Sequence, residues 1–410
     1  MAGPSPDVTF VLHDAGETKA MRPVMARLDR EGIPYCILAD ATARLLLQNN
    51  PHLMPQLSPY STNGFDAFIS SKQTVPGALP PLSEGQSRFY LQRLQSSRCV
   101  ITGLVSEFQK NWASFFKRAK EPVIGYYDGF NYSPADQIAE NFAGKVDAVL
   151  TPSQESAAFF KERFAQAGAP NLPVQAVGQP VLETAAQVMR TTNPAELASV
   201  LGIDPQKPTL VFVGGKGPNY ADAFRLFCTA CRQLPAGSAN VLVSLHPQMN
   251  GAEEEQILQE TQMQNQIRIV PKSIDTAQLL ALSPTVLAQD STFIMQAYLL
   301  GRPVAYIGNP VRDDATAFNP LAAKMLVPRL KQPDLLAQFI LQNGQTTTQP
   351  ESASIPASGK STPNLSALYD YLGIPQLATE RLTNYLKTFL PMQAVGMPES
   401  PLKNERPASA

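Results

Sequence analysis

The stretch "LAQDSTFIMQAYLLGRPVAYIGN", residues 287–309, joins two short apolar runs through a helical pattern. Two apolar strands connected by a helix are typical of a parallel sheet that is covered on both faces. Asp290, Ser291 and Thr292 stand where the first strand gives way to the helix. Such residues cap helices because their oxygens accept backbone N–H groups. A helix N-terminus after a strand also suits an anion. The motif leaves both interpretations open.

The same alternation of strand and helix runs through most of the chain in two series. It predicts an α/β protein with two Rossmann-like parallel-sheet domains that face each other across a cleft. The predicted strands are 8–13, 35–40, 99–103, 122–128, 146–152 and 174–178 in the first series, then 208–215, 240–247, 267–271, 285–290 and 303–308 in the second.

The length of 410 residues exceeds what one hydrophobic core usually supports, so two domains are expected. We place the first domain at 1–183, an interdomain linker at 184–206 and the second domain at 207–343. A Pro-, Ser- and Thr-rich stretch, 344–364, predicts a flexible loop. Helices at 365–390 and a disordered tail at 391–410 complete the expected organisation.

Composition narrows the class of protein. The chain is 44% hydrophobic and 16% charged with a formal net charge of −1, so it lacks the basic surface that nucleic acid requires. It has neither an apolar run of transmembrane length nor an N-terminal signal pattern, which predicts a cytoplasmic protein. Cys228 and Cys231 form a CxxC, but they lie in a helical pattern that predicts a buried helix face.

Polar residues follow several predicted strands, and in open α/β sheets ligands bind at the carboxyl ends of strands. Asp14 and Glu17 follow the first strand, where the alternative to a site is a capped helix. Asp128 and Gly129 follow the strand 122–128. A carboxylate there could act as a general base, whereas the alternative is a simple Asp-Gly turn.

The second series carries similar residues. Gly214, Gly215 and Lys216 follow a strand, where glycines allow close backbone approach to a diphosphate and the lysine adds a positive charge. A plain turn is the alternative. His246 precedes Pro247, which favours an extended backbone and presents the imidazole at the strand end, although a lone His is often structural. The recurrence of such strand ends predicts a site in the interdomain cleft.

From these residues the sequence resembles the GT-B superfamily of nucleotide-sugar enzymes over roughly residues 8 to 310. It looks most like UDP-N-acetylglucosamine 2-epimerases and the bacterial sialyltransferases and glycerophosphotransferases with a His-Pro motif. "VIGYYDGFNY" resembles the segment that supplies an essential carboxylate, which marks Asp128. "SLHPQ" is similar to the motif whose His meets the donor phosphate, which marks His246. "QDSTFIMQAYLLGRPV" resembles the motif whose hydroxyls hold the diphosphate, which marks Asp290, Ser291 and Thr292.

Two departures from the resemblance bear on the reaction. Gly103, Leu104 and Val105 stand where the epimerases carry Gly-Asp-Thr, so a catalytic carboxylate of that activity is missing, which argues against epimerisation. Gln296 stands where the superfamily often has a ribose-binding Glu. An amide accepts from a ribose hydroxyl more weakly than a carboxylate does, so the donor nucleotide stays open.

The resemblance implies an inverting, metal-independent glycosyltransferase that moves a sugar from a nucleotide-sugar donor to an acceptor hydroxyl in cell-surface glycan synthesis. The first domain would take a glycan or lipid-linked acceptor, with Asp128 as base and Asp14 or Glu17 as rivals. The second domain would hold the nucleotide diphosphate, or a monophosphate if the sialyltransferase likeness is the closer one. The residues implied on that side are Gly214, Gly215, Lys216, His246, Asp290, Ser291, Thr292 and Gln296.

Other interpretations stay open. No DxD pair ends a predicted strand, since Asp313 and Asp314 follow Arg312 in a loop, so neither a metal nor another cofactor is implied. An epimerase or hydrolase of a nucleotide sugar is one alternative, and a non-catalytic binding or scaffold protein is another. "NWASFFKRAK", residues 111–120, could be an interfacial helix that makes a weak peripheral membrane contact. We favour a helix that packs its aromatic residues inward.

Overall fold

The computed structural model describes residues 6–49, 97–130, 135–217, 219–309, 320–344 and 365–390. The predicted loop from 345 onward, the predicted tail and the stretch 87–95, "SRFYLQRLQ", whose pattern predicts a helix, lie outside the described residues. The strands and helices of the described residues form two parallel sheets covered by helices, as the sequence predicts.

The first sheet has six parallel strands in the order β2-β1-β3-β4-β5-β6. Every residue of its first five strands is buried, because helices cover both faces and such strands read as continuous apolar runs. The strands are β1 Val8–Leu12, β2 Tyr35–Ala39, β3 Cys99–Thr102, β4 Val123–Tyr126, β5 Ala148–Thr151 and β6 Val174–Ala176.

The second sheet repeats this arrangement with the order β12-β11-β10-β7-β8-β9, again all parallel. The prediction of two Rossmann-like parallel sheets is therefore confirmed. The strands are β7 Thr209–Val213, β8 Asn240–Ser244, β9 Ile267–Ile269, β10 Thr285–Ala288, β11 Val304–Ile307 and β12 Arg329–Leu330.

Helices connect the strands and join the two sheets. The segment expected as a linker is itself largely helical, and it packs Leu197 and Leu201 into the core of the second sheet. The helices of the first half are α1 Ala15–Arg30, α2 Ala41–Asn49, α3 Glu107–Arg118, α4 Ala135–Phe142 and α5 Gln154–Gln166, followed by α6 Pro180–Thr191 and α7 Pro194–Leu201. Those of the second half are α8 Tyr220–Arg232, α9 Ala252–Glu260, a 3₁₀ helix Thr276–Leu282, α10 Phe293–Leu299, α11 Pro320–Ala323 and α12 Pro333–Gly344, and then α13 Leu365–Tyr371 and α14 Ala378–Lys387.

The last helix of the described residues, α14, returns to the first domain. Leu382 and Leu386 are fully buried in the core that α1 shares with the first sheet. At the helix end, Lys387 Nζ lies 2.9 Å from Glu31 Oε2. The burial of two leucines is the larger contribution, about 1.5–3 kcal/mol for each side chain. Helix α14 thus stabilises the first domain.

Helix α3 contains the only Trp of the chain. Trp112 is 8% exposed and Phe116 is fully buried, and both belong to the core of the first domain. The apolar face that an interfacial helix would need is therefore already covered by the protein itself. Cys228 and Cys231 are likewise buried in the core of the second domain, as the helical pattern predicts. Within the described ranges, no helix is both long enough and apolar enough to span a membrane.

Candidate functional site

A cavity of about 840 Å³ lies between the two sheets, and its walls come from both halves of the chain. The first half contributes α1, α6 and Asp128, which lies two residues beyond β4, and the second contributes the ends of β7, β8 and β10. Most of the predicted site residues line this cavity, namely Asp128, Gly214, Gly215, Lys216, His246, Asp290, Ser291, Thr292 and Gln296. The structure does not bring Asp14 and Glu17 to the cavity wall, although both were predicted as rival bases.

Asp14 and Glu17 instead form a capping box at the start of α1. The Asp14 carboxylate accepts from the backbone N–H of Gly16 at 3.1 Å and of Glu17 at 3.3 Å. The Glu17 carboxylate accepts from the Asp14 N–H at 3.1 Å and from Gln109 Nε2 at 2.6 Å. Burial raises the pKa of Glu17 well above its usual value, and the nearby Asp14 charge adds to the effect. The Asp-x-x-Glu spacing in the sequence is the signal for this cap.

Asp128 follows β4 and lines the cavity. Its Oδ2 atom lies so close to α1 that a Cβ at Gly16 would come within 2.0 Å of it. Burial and the negative charge of Asp14 raise the pKa of Asp128 to about 8. A carboxylate with a pKa near the working pH is suited to accept a proton as a general base.

Two side chains that sequence reasoning missed hold the backbone of Asp128. Gln179 Nε2 donates to the Asp128 carbonyl oxygen, and Tyr126 Oη donates to Gln179 Oε1 at 2.9 Å. Both Tyr126 and Gln179 are buried, so the network is rigid. No sequence motif marks Gln179, because its role depends on β4 lying next to the N-terminus of α6.

The ends of β7 and β8 meet at Gly214. A Cβ at this position would lie 2.9 Å from the backbone N of His246 and 3.0 Å from the carbonyl oxygen of Ser244. A Cβ on Gly215 would lie 3.8 Å from Gln289 Oε1, at the end of β10. Glycine is therefore needed at 214 for two strand ends to approach, and a ligand can reach the backbone there.

The His246 imidazole is neutral in this arrangement. Its Nδ1 accepts the Gln248 backbone N–H at 3.2 Å, which leaves Nε2 to carry the proton. Burial and the positive charges of Lys216, Lys19 and Lys272 lower the pKa of His246 to about 4. A neutral imidazole surrounded by cations is placed to donate a hydrogen bond to an anion.

Side chains also cross between the two domains at this edge of the cavity. Lys216 Nζ donates to Gln248 Oε1 at 2.6 Å, and Gln248 Nε2 donates to Thr42 Oγ1 at 2.9 Å. Lys19 Nζ on α1 lies 3.5 Å from Asp275 Oδ1 of the second domain. Polar contacts therefore join the two domains beside the cavity.

The three residues that follow β10 have different local roles. Ser291 Oγ accepts the Phe293 N–H at 3.2 Å, while the Thr292 side chain makes no capping bond to α10. The Asp290 carboxylate accepts from Arg329 Nη2 at 2.8 Å, and Arg329 Nη1 donates to the Gln289 carbonyl oxygen at 3.0 Å. Arg329 lies on β12 and was missed by sequence reasoning. It fixes the backbone that leads into Ser291 and Thr292.

The other carboxylates of the cavity also have partners. Glu183 accepts from the Thr379 hydroxyl at 2.6 Å at the start of α14. Asp275 accepts the Ala277 N–H at 3.0 Å and pairs with Lys19. Within the parts of the chain that the structure describes, no three His, Cys, Asp or Glu side chains are grouped so that they could hold a metal ion.

No family model and no curated protein matches the sequence, whereas solved structures match the fold. A UDP-GlcNAc 2-epimerase from Neisseria meningitidis bound to UDP-GlcNAc aligns with a TM-score of 0.58 at 14% identity, over 93% of this chain and 99% of that one. The S. aureus MnaA–UDP structure gives 0.60 at 13%, over 93% and 96%. A glycosyltransferase from Rickettsia africae gives 0.57 at 10%, over 95% and 100%. This protein therefore has the GT-B fold that the sequence resemblance implies.

Proposed function

We propose that this protein is a nucleotide-sugar enzyme, specifically an inverting glycosyltransferase. The observation that carries the proposal is the cavity in which Asp128 of the first half shares a space with His246, Lys216 and Ser291 of the second. Similar structures with UDP or UDP-GlcNAc bound support the nucleotide assignment. Residues 1–183 then form the acceptor domain and 207–343 the donor domain, with 184–206 between them.

Asp128 is the base of this reaction. Its ionised carboxylate takes the proton from the acceptor hydroxyl as the hydroxyl oxygen attacks the anomeric carbon. The bond from that carbon to the nucleotide phosphate breaks in the same displacement, so the configuration inverts. Gly16 leaves room for the Asp128 carboxylate beside α1, and Gln179 holds the Asp128 backbone carbonyl.

Groups of the second domain stabilise the negative charge that develops on the departing phosphate. His246 Nε2–H, Lys216 Nζ, the Ser291 and Thr292 hydroxyls and the backbone N–H groups near Thr292 and Gly215 supply donors, each contributing about 3 kcal/mol to transition-state stabilisation. Gln296 lines the same cavity and accepts a ribose hydroxyl. Because these groups meet the charge, the reaction proceeds without a divalent metal, and a chelator leaves turnover unchanged.

Epimerisation of a nucleotide sugar is the second candidate, because several of the similar structures are epimerases. That reaction removes a proton from a sugar carbon and returns one, so it needs acid–base groups on both faces of the sugar. The end of β3 supplies none at Leu104, which is 1% exposed and packs over Gly125. This burial favours transfer.

Turnover of nucleotide sugars in D₂O, followed by NMR, separates the candidates. UDP-, GDP-, CDP- and CMP-linked sugars are incubated with the protein and with its Asp128→Asn variant. A transferase slowly releases nucleotide, and the freed sugar first appears as the anomer opposite to the donor. An epimerase incorporates deuterium at the inverted carbon and releases no nucleotide. If a nucleotide sugar binds but neither nucleotide release nor deuterium incorporation follows, the protein is a scaffold and the proposal is contradicted.

A further inference from the structure

One face of helix α1 forms a long wall of the interdomain cavity. Gly16, Lys19, Arg22, Ala26 and Arg30 all line it. Their spacing of three and four residues places them on a single stripe of the helix. At 1.5 Å per residue, Arg22 lies about 9 Å along the axis from Gly16, which contacts the Asp128 carboxylate. The cavity therefore extends well beyond the reacting groups.

Arg22 is the unusual member of this wall. Its Nε atom is buried, and no described residue accepts a hydrogen bond from it. Burial lowers the pKa of the Arg22 guanidinium, and the charge of Asp275 only partly opposes this effect. A buried guanidinium N–H is costly to leave without an acceptor. The side chain is thus prepared for an acceptor that comes from outside the protein.

The carboxylates nearby are also engaged by other partners. Asp275 is shared with Lys19 at 3.5 Å and caps the 3₁₀ helix through Ala277. Glu183, on the opposite wall, is held by the start of α14 through Thr379. On the acceptor side of the cavity three cations, Lys19, Arg22 and Arg30, accompany two carboxylates, Asp128 and Glu183, so positive charge is in excess there. That charge is separate from Lys216 and His246, which belong to the donor domain.

Resting on the proposed function, we propose that Arg22, assisted by Lys19, binds an oxyanion of the acceptor, either a phosphate monoester or a carboxylate. The planar guanidinium offers two parallel N–H donors to such a group. The anion lies about two helical turns from the hydroxyl that Asp128 deprotonates. The acceptors are accordingly anionic sugars or glycolipid headgroups rather than neutral glycans.

The test measures binding of inorganic phosphate to protein saturated with UDP, by calorimetry, with acetate as a parallel probe for a carboxylate. Arg22→Gln should weaken binding of the preferred anion by roughly tenfold or more and leave UDP affinity unchanged. Arg27→Gln is the matched control, since Arg27 lies on the same helix but pairs with Glu31 at 3.0 Å. His246→Ala should weaken the binding of UDP and leave the binding of the anion unchanged. Arg22→Lys keeps the positive charge but lacks the two parallel N–H donors, so it should also weaken the binding of the anion.

Several results would overturn the inference. If Arg22→Gln leaves anion binding unchanged, Arg22 does not form an anion site. If the substitution weakens the binding of UDP and of the anion equally, Arg22 belongs to the nucleotide site. The two proposals fail separately in this design. If UDP binds and the anion does not, the anion site alone is wrong. If UDP, GDP, CDP and CMP all fail to bind but phosphate binds through Arg22, the nucleotide assignment is wrong and the anion site stands.

Discussion

Gly16 lies against the Asp128 carboxylate so closely that a Cβ on Gly16 would stand 2.0 Å from Oδ2 and 3.2 Å from Cγ. The capping box of Asp14 and Glu17 fixes the first turn of α1, so the backbone of Gly16 has little room to retreat. A side chain at position 16 must therefore displace Asp128. The start of one helix sets the position of the proposed base.

Gly16→Ala should lower donor turnover strongly while changing stability little. Alanine is the better helix former by about 0.5–1 kcal/mol, which offsets part of the local strain. Measured kcat for transfer or donor hydrolysis checks the effect. Because both changes act through one carboxylate, Gly16→Ala should add nothing to Asp128→Asn in the double variant. Additive losses would show that Gly16 acts elsewhere.

The pH profile of kcat/KM reports the proposed base directly. The pKa of Asp128 is raised to about 8, so the ionised form that accepts a proton increases as pH rises towards that value. The value of kcat/KM should therefore rise from pH 6 and level off above about pH 8. The Asp128→Asn variant should lose typically about 10²–10⁴-fold in rate and the associated pH dependence. A wild-type rate that is flat or falling over this interval would exclude Asp128 as the base.

Asp128 should also lower stability in a pH-dependent way. Its pKa is about 8 in the folded protein and near the ordinary value of 3.8 in the unfolded chain, so the unfolded state ionises first. Stability from this group is fully present below the lower pKa and is lost as pH rises through the upper one. Asp128→Asn should therefore melt increasingly higher than wild type between pH 5 and 8. A constant difference in melting temperature contradicts the assigned burial.

The residues after β10 can be tested separately, because only Ser291 accepts a backbone N–H from α10. Thr292→Ala should leave the melting temperature unchanged and weaken binding of UDP. Ser291→Ala should weaken UDP and also cost about 1 kcal/mol of stability. Ser106→Ala, which removes the N-cap of α3, is the matched control and should cost stability alone. If Thr292→Ala leaves UDP affinity intact, the motif serves only the helix.

Strands buried on both faces were predictable, because they appear in the sequence as apolar runs separated by helical patterns. The strand β12 was not, since Arg329–Leu330 forms no apolar run and exists only through its pairing with β11. Helix α4, between β4 and β5, was also missed, because eight residues are too few to show a clear helical repeat of apolar positions.

The candidate site was predictable only where residues directly follow strands, as Asp128 and His246 do. The roles of Arg22, Gln179 and Arg329 depend on which helix face or neighbouring strand adjoins the cavity, and a sequence does not contain that information. For Glu17 the sequence pattern was present, but it fitted two different roles. Its spacing from Asp14 fits both a catalytic pair and a cap, and the geometry shows the cap.

Calorimetric titration of UDP, GDP, CDP and CMP into the wild-type protein and into His246→Ala tests the central claim most directly. We predict that one of these nucleotides binds at a single site in the wild-type protein. We also predict that His246→Ala weakens that binding by about tenfold, because a hydrogen bond to a charged group is lost. Absence of binding by all four nucleotides, or equal affinity in the two proteins, would contradict a nucleotide site at the carboxyl ends of β7, β8 and β10.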